Sequence, residues 1–373
     1  MIDKLRHELR LIYSTPEQSQ NGKRLMGLDM ARGIAIILVV IGHSGFISHN
    51  CNIWISSFHL PLFFILSGIL TSIRHEDEQP LSRSALQKAR SIMIPYCWFS
   101  IGSVCLDILQ VLLGNFKWSS VWEHVIQTLT LQGYSVLWFL PVLYLAEMLL
   151  LSLYKTLRIF LPKGCICSLI GTIVITLCAL GGYYSYQALI STSVPAFVLH
   201  IFRILEKSFI GAAFISYGYV CGQLYSKRVT KIPKWHTFLS GILLSSFNFT
   251  VISQIQLMDL NNLGLQNLGM YLLLGTTGGM GCILLFMSIP NIPLLTFYGQ
   301  NSLIIMCTHL NFYVLLFSMR IYEFLFSGIF GTNNTLHVVF SLVGTFILSI
   351  AVILVIKIFF PFVLGRKIRY FNK

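Results

Sequence analysis

The 373-residue chain is 55% hydrophobic and only 10% charged, with a mean hydropathy of +0.75 and a formal net charge of +13. Soluble globular domains carry roughly a quarter charged residues, so the composition excludes that class and indicates a polytopic membrane protein. Nucleic-acid binding is not implied by the positive balance, because the basic residues alternate by loop.

Segments of about 17 to 25 predominantly apolar residues are long enough to cross a hydrocarbon core as helices, in which every backbone polar group is satisfied internally. About ten are present on that criterion, at 29–49, 53–73, 91–113, 136–156, 165–184, 207–225, 236–255, 268–288, 295–319 and 336–360. The predicted fold is all-α, a polytopic transmembrane helical bundle over 28–362 with tails at 1–27 and 363–373. A cytoplasmic N-terminus puts every Lys and Arg inside except Lys117, Arg203, Lys207 and Arg320, with Arg32 and Lys357 in or at the membrane. That bias fixes both termini in the cytoplasm. Membrane lipids, not nucleic acid, are then the partner of the excess charge. The nine cysteines show no disulfide or zinc spacing, Cys165 and Cys167 being CxC, and no metal or prosthetic group is expected.

In chain order, the tail carries a short candidate interfacial helix over 5–13. Asp29 and Arg32 then open the first span at i, i+3, close enough to pair at the inner surface. Arg32 and His43 are eleven residues apart, so in a helix they share one face about 16 Å apart. Alone, such an arginine is as readily a snorkelling boundary marker. An outer turn at 49–52 leads into the second span, which holds His59 near its outer end. Pro61 lacks a backbone donor and is expected to open the helix there.

The polar inner insertion 74–95 ends on Lys88 and Arg90. They read either as ordinary positive-inside charge or as a phosphate site, for which ammonium and guanidinium groups are suited. Residues 121–131 look like an outer amphipathic helix. Glu147 lies deep in the fourth span and must be paired, protonated or turned to a cavity; holding two helices together and serving a site are both open. The outer segment 185–207 reads as a solvated loop or a dock for a polar acceptor. Small residues in 207–225 and 268–288 suit close helix packing. The ninth span, 295–319, brings His309 to the outer level reached by His43 and His59. Three histidines from three helices at one depth favour a site over isolated packing bonds. Glycine-rich phosphate loops, HExxH and GxSxG are absent.

Arg32-x10-His43 within LDMARGIAIILVVIGH, FHLPLFFILSG at 58–68, LWFL ahead of an intramembrane acid and GQNSLIIMCTH in the ninth span together carry a resemblance. They resemble the integral-membrane acyltransferase family 3, especially its fucose 4-O-acetyltransferase-like and bacterial polysaccharide O-acetyltransferase members. The likeness runs over about residues 25–360. It implies a bacterial inner-membrane enzyme that takes an acyl group, usually acetyl, from cytoplasmic acetyl-CoA. The acceptor it implies is a hydroxyl of a cell-envelope saccharide or lipid-linked glycan. By motif match Arg32 and His43 inherit the family's essential arginine and histidine; His59 fits the FHxP form, and Lys88 and Arg90 resemble the basic pair before the third span.

A pantetheine arm is about as long as the 16 Å separating Arg32 from His43, so phosphates can stay at the inner patch while the thioester reaches the imidazole level. His43 then serves as general base on the acceptor hydroxyl. His59 or His309 orients it, stabilises the oxyanion or protonates the thiolate, and an acyl-histidine relay is equally open. The competing class is a transporter or flippase for a lipid-linked saccharide. No internal repeat supports it.

Overall fold

The computed structural model describes residues 26–45, 47–162, 164–192, 194–228, 233–251, 254–330 and 334–365. The expected tail helix over 5–13 and the basic clusters of both tails lie outside the described residues. Among the described residues there are helices and no strand, only an isolated bridge between Asp259 and Gly264. Seven of the described helical segments are long and apolar enough to cross a membrane: Met26–His43, His49–Ile73, Leu81–Leu112, Ser135–Phe160, Cys165–Ile190, Leu268–Ser288 and Thr335–Phe359. They coincide with expected spans. Helices also cover 207–225 and 236–255, but the first is diluted by Gly, Ser and Tyr, and the second belongs to a helix of only 17 residues.

The chain forms two compact units, one from 1–48, 90–138 and 291–373 and the other from 49–89 and 139–290. The first unit contains α1 (Met26–His43), α4 (Ile94–Leu112), α5 (Trp118–Leu129), a 3-10 turn Ser135–Trp138, α11 (Pro293–Gln300), α12 (Ser302–Thr308), α13 (Val314–Phe330) and α14 (Asn334–Phe359). Its centre is the crossing of α1 with α11 and α12. A Cβ on Gly33 would fall inside contact distance of the Leu295 carbonyl, and one on Gly299 inside that of Asp29. Each helix therefore offers a bare Cα where the other presents a carbonyl, the approach that small residues permit in membrane helices.

The second unit contains α2 (His49–Ile73), α3 (Leu81–Lys88), α6 (Phe139–Phe160), α7 (Cys165–Ile190), α8 (Ala196–Arg228), α9 (Lys234–Thr250) and α10 (Leu268–Ser288). Here α8 is central, packed on α2, α6 and α7. The contact between α2 and α8 repeats the device, Gly68 and Gly218 each facing a backbone carbonyl of the other helix.

Four expectations need correction. The ninth span is not one helix: 295–319 is broken into α11, α12 and the start of α13. The break follows Gln300-Asn301-Ser302. There Asn301 takes φ −114°, ψ 12°, and its amide donates to the Phe297 carbonyl, capping α11. A second break ends on Tyr313 in the left-handed region at φ 55°. Pro61 does not open its helix, since α2 runs through it. The outer turn lies between His43 and His49, ahead of the position expected. Finally, 185–207 is not a solvated loop. Helices occupy most of it, and Glu206 and Lys207 are buried, with the Lys207 ammonium donating to Asn261 Oδ1 at 3.1 Å.

Candidate active site

Five of the singled-out residues fall in the first unit: Asp29, Arg32, His43, Arg90 and His309. Arg32 and His43 share the uninterrupted helix α1, so eleven residues of rise separate them by about 16 Å on one face. Arg32 is half-buried and His43, the last residue of α1, is exposed. Asp29 is buried and accepts from Gln300 Nε2 at 3.4 Å. Arg90 is exposed on a π turn, Ala89–Met93.

His309 caps the C-terminal end of α12 and is completely buried. Its ring lies 5.3 Å, centroid to centroid, from that of His43, at an interplanar angle of 39°. Nδ1 of His309 is 2.9 Å from the carbonyls of both Ile305 and Met306. A carbonyl only accepts, so this nitrogen carries the proton and donates, which leaves the lone pair on Nε2. That Nε2 is buried and has no hydrogen-bond partner among the described residues. The result is a fixed, oriented imidazole lying beside an accessible one, which suits proton transfer at a reacting hydroxyl.

The second unit holds His59, Lys88 and Glu147. His59 Nδ1 is 2.6 Å from the Ile55 carbonyl, so by the same reasoning its lone pair is on Nε2. Lys88 lies 2.8 Å from Glu76 and 3.1 Å from Glu147; Ser67 also donates to Glu147. Two carboxylates thus take up the Lys88 ammonium, and the buried acid is paired. The neighbouring stretch is clamped in the same way. Arg158 on α6 pairs with Asp77, and Lys155 donates to the Gln79 carbonyl. A structural ion pair of this kind is costly to halve. Lys88→Met is expected to lower stability by about 3 kcal/mol, while Lys88→Met with Glu147→Gln recovers part of it. Thermal unfolding in detergent reads both; an unchanged Tm with a raised KM for the acyl donor would instead return Lys88 to phosphate binding.

Sequence reading passed over the glycines at the α1–α11 crossing, the partner Glu76, and a second titratable pair in the first unit. That pair is Asp107 of α4 with His124 of α5, 2.6 Å apart and both buried. Its signal was available, a histidine on the inward side of the amphipathic stretch 121–131.

A helical chain with long apolar spans defines an integral-membrane protein. Which kind is decided by a family model described as an acyltransferase domain, which matches residues 26–354. The chain belongs to acyltransferase family 3 and is an acyl-transferring membrane enzyme. No curated protein and no solved structure matches it. The matched range begins at α1 and includes His43, His59 and His309.

Proposed function

We propose that the protein transfers an acetyl group from acetyl-CoA, taken from the cytoplasm, to a hydroxyl of a bacterial cell-envelope saccharide, in the inner membrane with both termini cytoplasmic. The observation that carries this reading is the contact of the His43 and His309 rings at 5.3 Å, with Arg32 on the same helix as His43. His43 takes the proton of the acceptor hydroxyl as its oxygen attacks the thioester carbonyl. A C–O bond forms, the C–S bond breaks, and the departing thiolate receives the proton from the imidazole. His309, whose tautomer is set by two carbonyls, orients His43 and steadies the charge that develops there. Arg32 and Arg90 face the donor's phosphates, for which guanidinium forks are suited. Lys88, committed to Glu76 and Glu147, supports the fold of the second unit.

The test is incubation of purified full-length protein in nanodiscs with acetyl-labelled CoA and de-O-acetylated envelope glycan from a strain lacking the gene. Label in the glycan, removed by mild base, is the expected outcome. Glycan movement across vesicles without acetylation would replace the transferase by a transporter.

A further inference from the structure

The Asp107–His124 pair is built like a binding device, yet proton transfer through His43, with His309 orienting it, makes no use of it. Asp107 Oδ2 accepts a hydrogen bond from Nδ1–H of His124 at 2.6 Å. That directs the lone pair of the neutral ring to Nε2. Tyr134 stacks flat on the imidazole, 3.9 Å between centroids at 22°. His124 is 0% exposed, and its Nε2 has no hydrogen-bond partner among the described residues. Burial of an acceptor without a donor is unfavourable unless something else brings the donor.

A second such acceptor is close at hand. Asn311 Nδ2 donates to the Tyr134 carbonyl at 3.4 Å, while its Oδ1 is buried and unpartnered among the described residues. Asn311 stands two positions after His309, whose ring lies against that of His43. Nearby, Leu131, Ser135 and Tyr313 have φ of 59°, 54° and 55°, a region that non-glycine residues rarely adopt. Burial, then the nearby Asp107 and Glu123 carboxylates, raise the Tyr134 phenol above its ordinary value, so it stays a neutral hydroxyl. The opposite face of α5 exposes Trp118, Trp122, Ile126 and Leu129, a tryptophan-bearing apolar face of the type that lies in a membrane interface.

We propose that the Asp107–His124 pair is an acceptor-binding subsite. His124 Nε2 takes a hydrogen bond from a hydroxyl of the acceptor that is not itself acylated, and Asn311 Oδ1 takes another. The acceptor class is therefore a polyhydroxylated alcohol, held by neighbouring hydroxyls while a different one faces His43. This rests on the saccharide-acceptor reading and adds the groups that would select it.

The experiment measures initial rates with full-length protein in nanodiscs, varying labelled acetyl-CoA and the de-O-acetylated glycan separately. His124→Ala is expected to raise the KM for glycan by about tenfold or more, with the KM for acetyl-CoA within about twofold of the parent. His124→Gln puts an amide oxygen near the Nε2 position and is expected to restore most of the glycan affinity. Asp107→Asn should behave like His124→Ala, because a carboxamide that donates to Nδ1 moves the proton to Nε2 and turns the acceptor into a donor. A glycan KM unchanged in His124→Ala overturns the assignment. So does a loss in which both KM values and the Tm move together and His124→Gln does not rescue, since that is the signature of packing. Absence of transfer by the parent protein overturns the saccharide reading and this subsite with it.

Discussion

His43→Ala is expected to lower acetyl transfer by about 10²- to 10⁴-fold, the usual contribution of a positioned general base, with no change in membrane insertion, yield or Tm. The asymmetry follows from where the ring sits. His43 ends α1 and is exposed, so truncation leaves no enclosed cavity. His309 is the opposite case, buried with Nδ1 tied to two carbonyls. Its removal leaves a buried void and takes the side-chain donor from the Met306 carbonyl, while Ile305 keeps the His309 backbone N–H, so it costs stability as well as rate. If the two rings act as one device, the double variant is no slower than the worse single one, because residues that work as a unit are not additive. Labelled transfer by the two single variants and the double, each checked for monodispersity, measures this. Acetylation retained by His43→Ala removes the base from the scheme.

Periodicity and charge placement made the helical, membrane-spanning character legible, because a lipid environment demands long apolar runs and the loops sort their cations. Helical arithmetic links Arg32 with His43, and depth links His43 with His59 and His309; of these the structure places the His43 and His309 rings 5.3 Å apart. What stayed hidden has physical reasons. The break in 295–319 was announced by Gly299-Gln300-Asn301-Ser302, but hydropathy averaged over a span hides a glycine and three polar residues between apolar flanks. The ion pairs of Lys88 were not visible because its partners, Glu76 and Glu147, are 12 and 59 residues away and only folding brings them to it. Pro61 was read as a helix opener on local grounds, whereas packing against α8 and α10 holds α2 continuous. The Asp107–His124 pair joins an apolar span to an amphipathic one, and no spacing rule links them.

Gly33→Val or Gly299→Val is expected to be the most damaging single change in the first unit, lowering stability by about 3 kcal/mol or more and eliminating transfer. The obstacle at each position is a backbone carbonyl, of Leu295 and of Asp29 respectively, and a carbonyl cannot rotate away as a side chain can. Any Cβ therefore forces α1 and α11 apart. Since His43 rides on α1, and His309 follows α11 by a short helix, the separation falls on the ring contact that proton transfer needs. Misplacement of reacting groups by an ångström costs about 10²-fold in rate even where the fold survives. Gly181 of α7 provides the control. No atom lies within 4 Å of where its Cβ would be, so Gly181→Ala is expected to keep full activity and to gain about 0.5 to 1 kcal/mol from helix propensity. Gly33→Ala separates the two effects, because its smaller intrusion is expected to lower the rate more than the Tm. Should Gly33→Ala match the parent in both, the close crossing is not what sets the distance between the imidazoles, and their placement must come from the chain after Asn301.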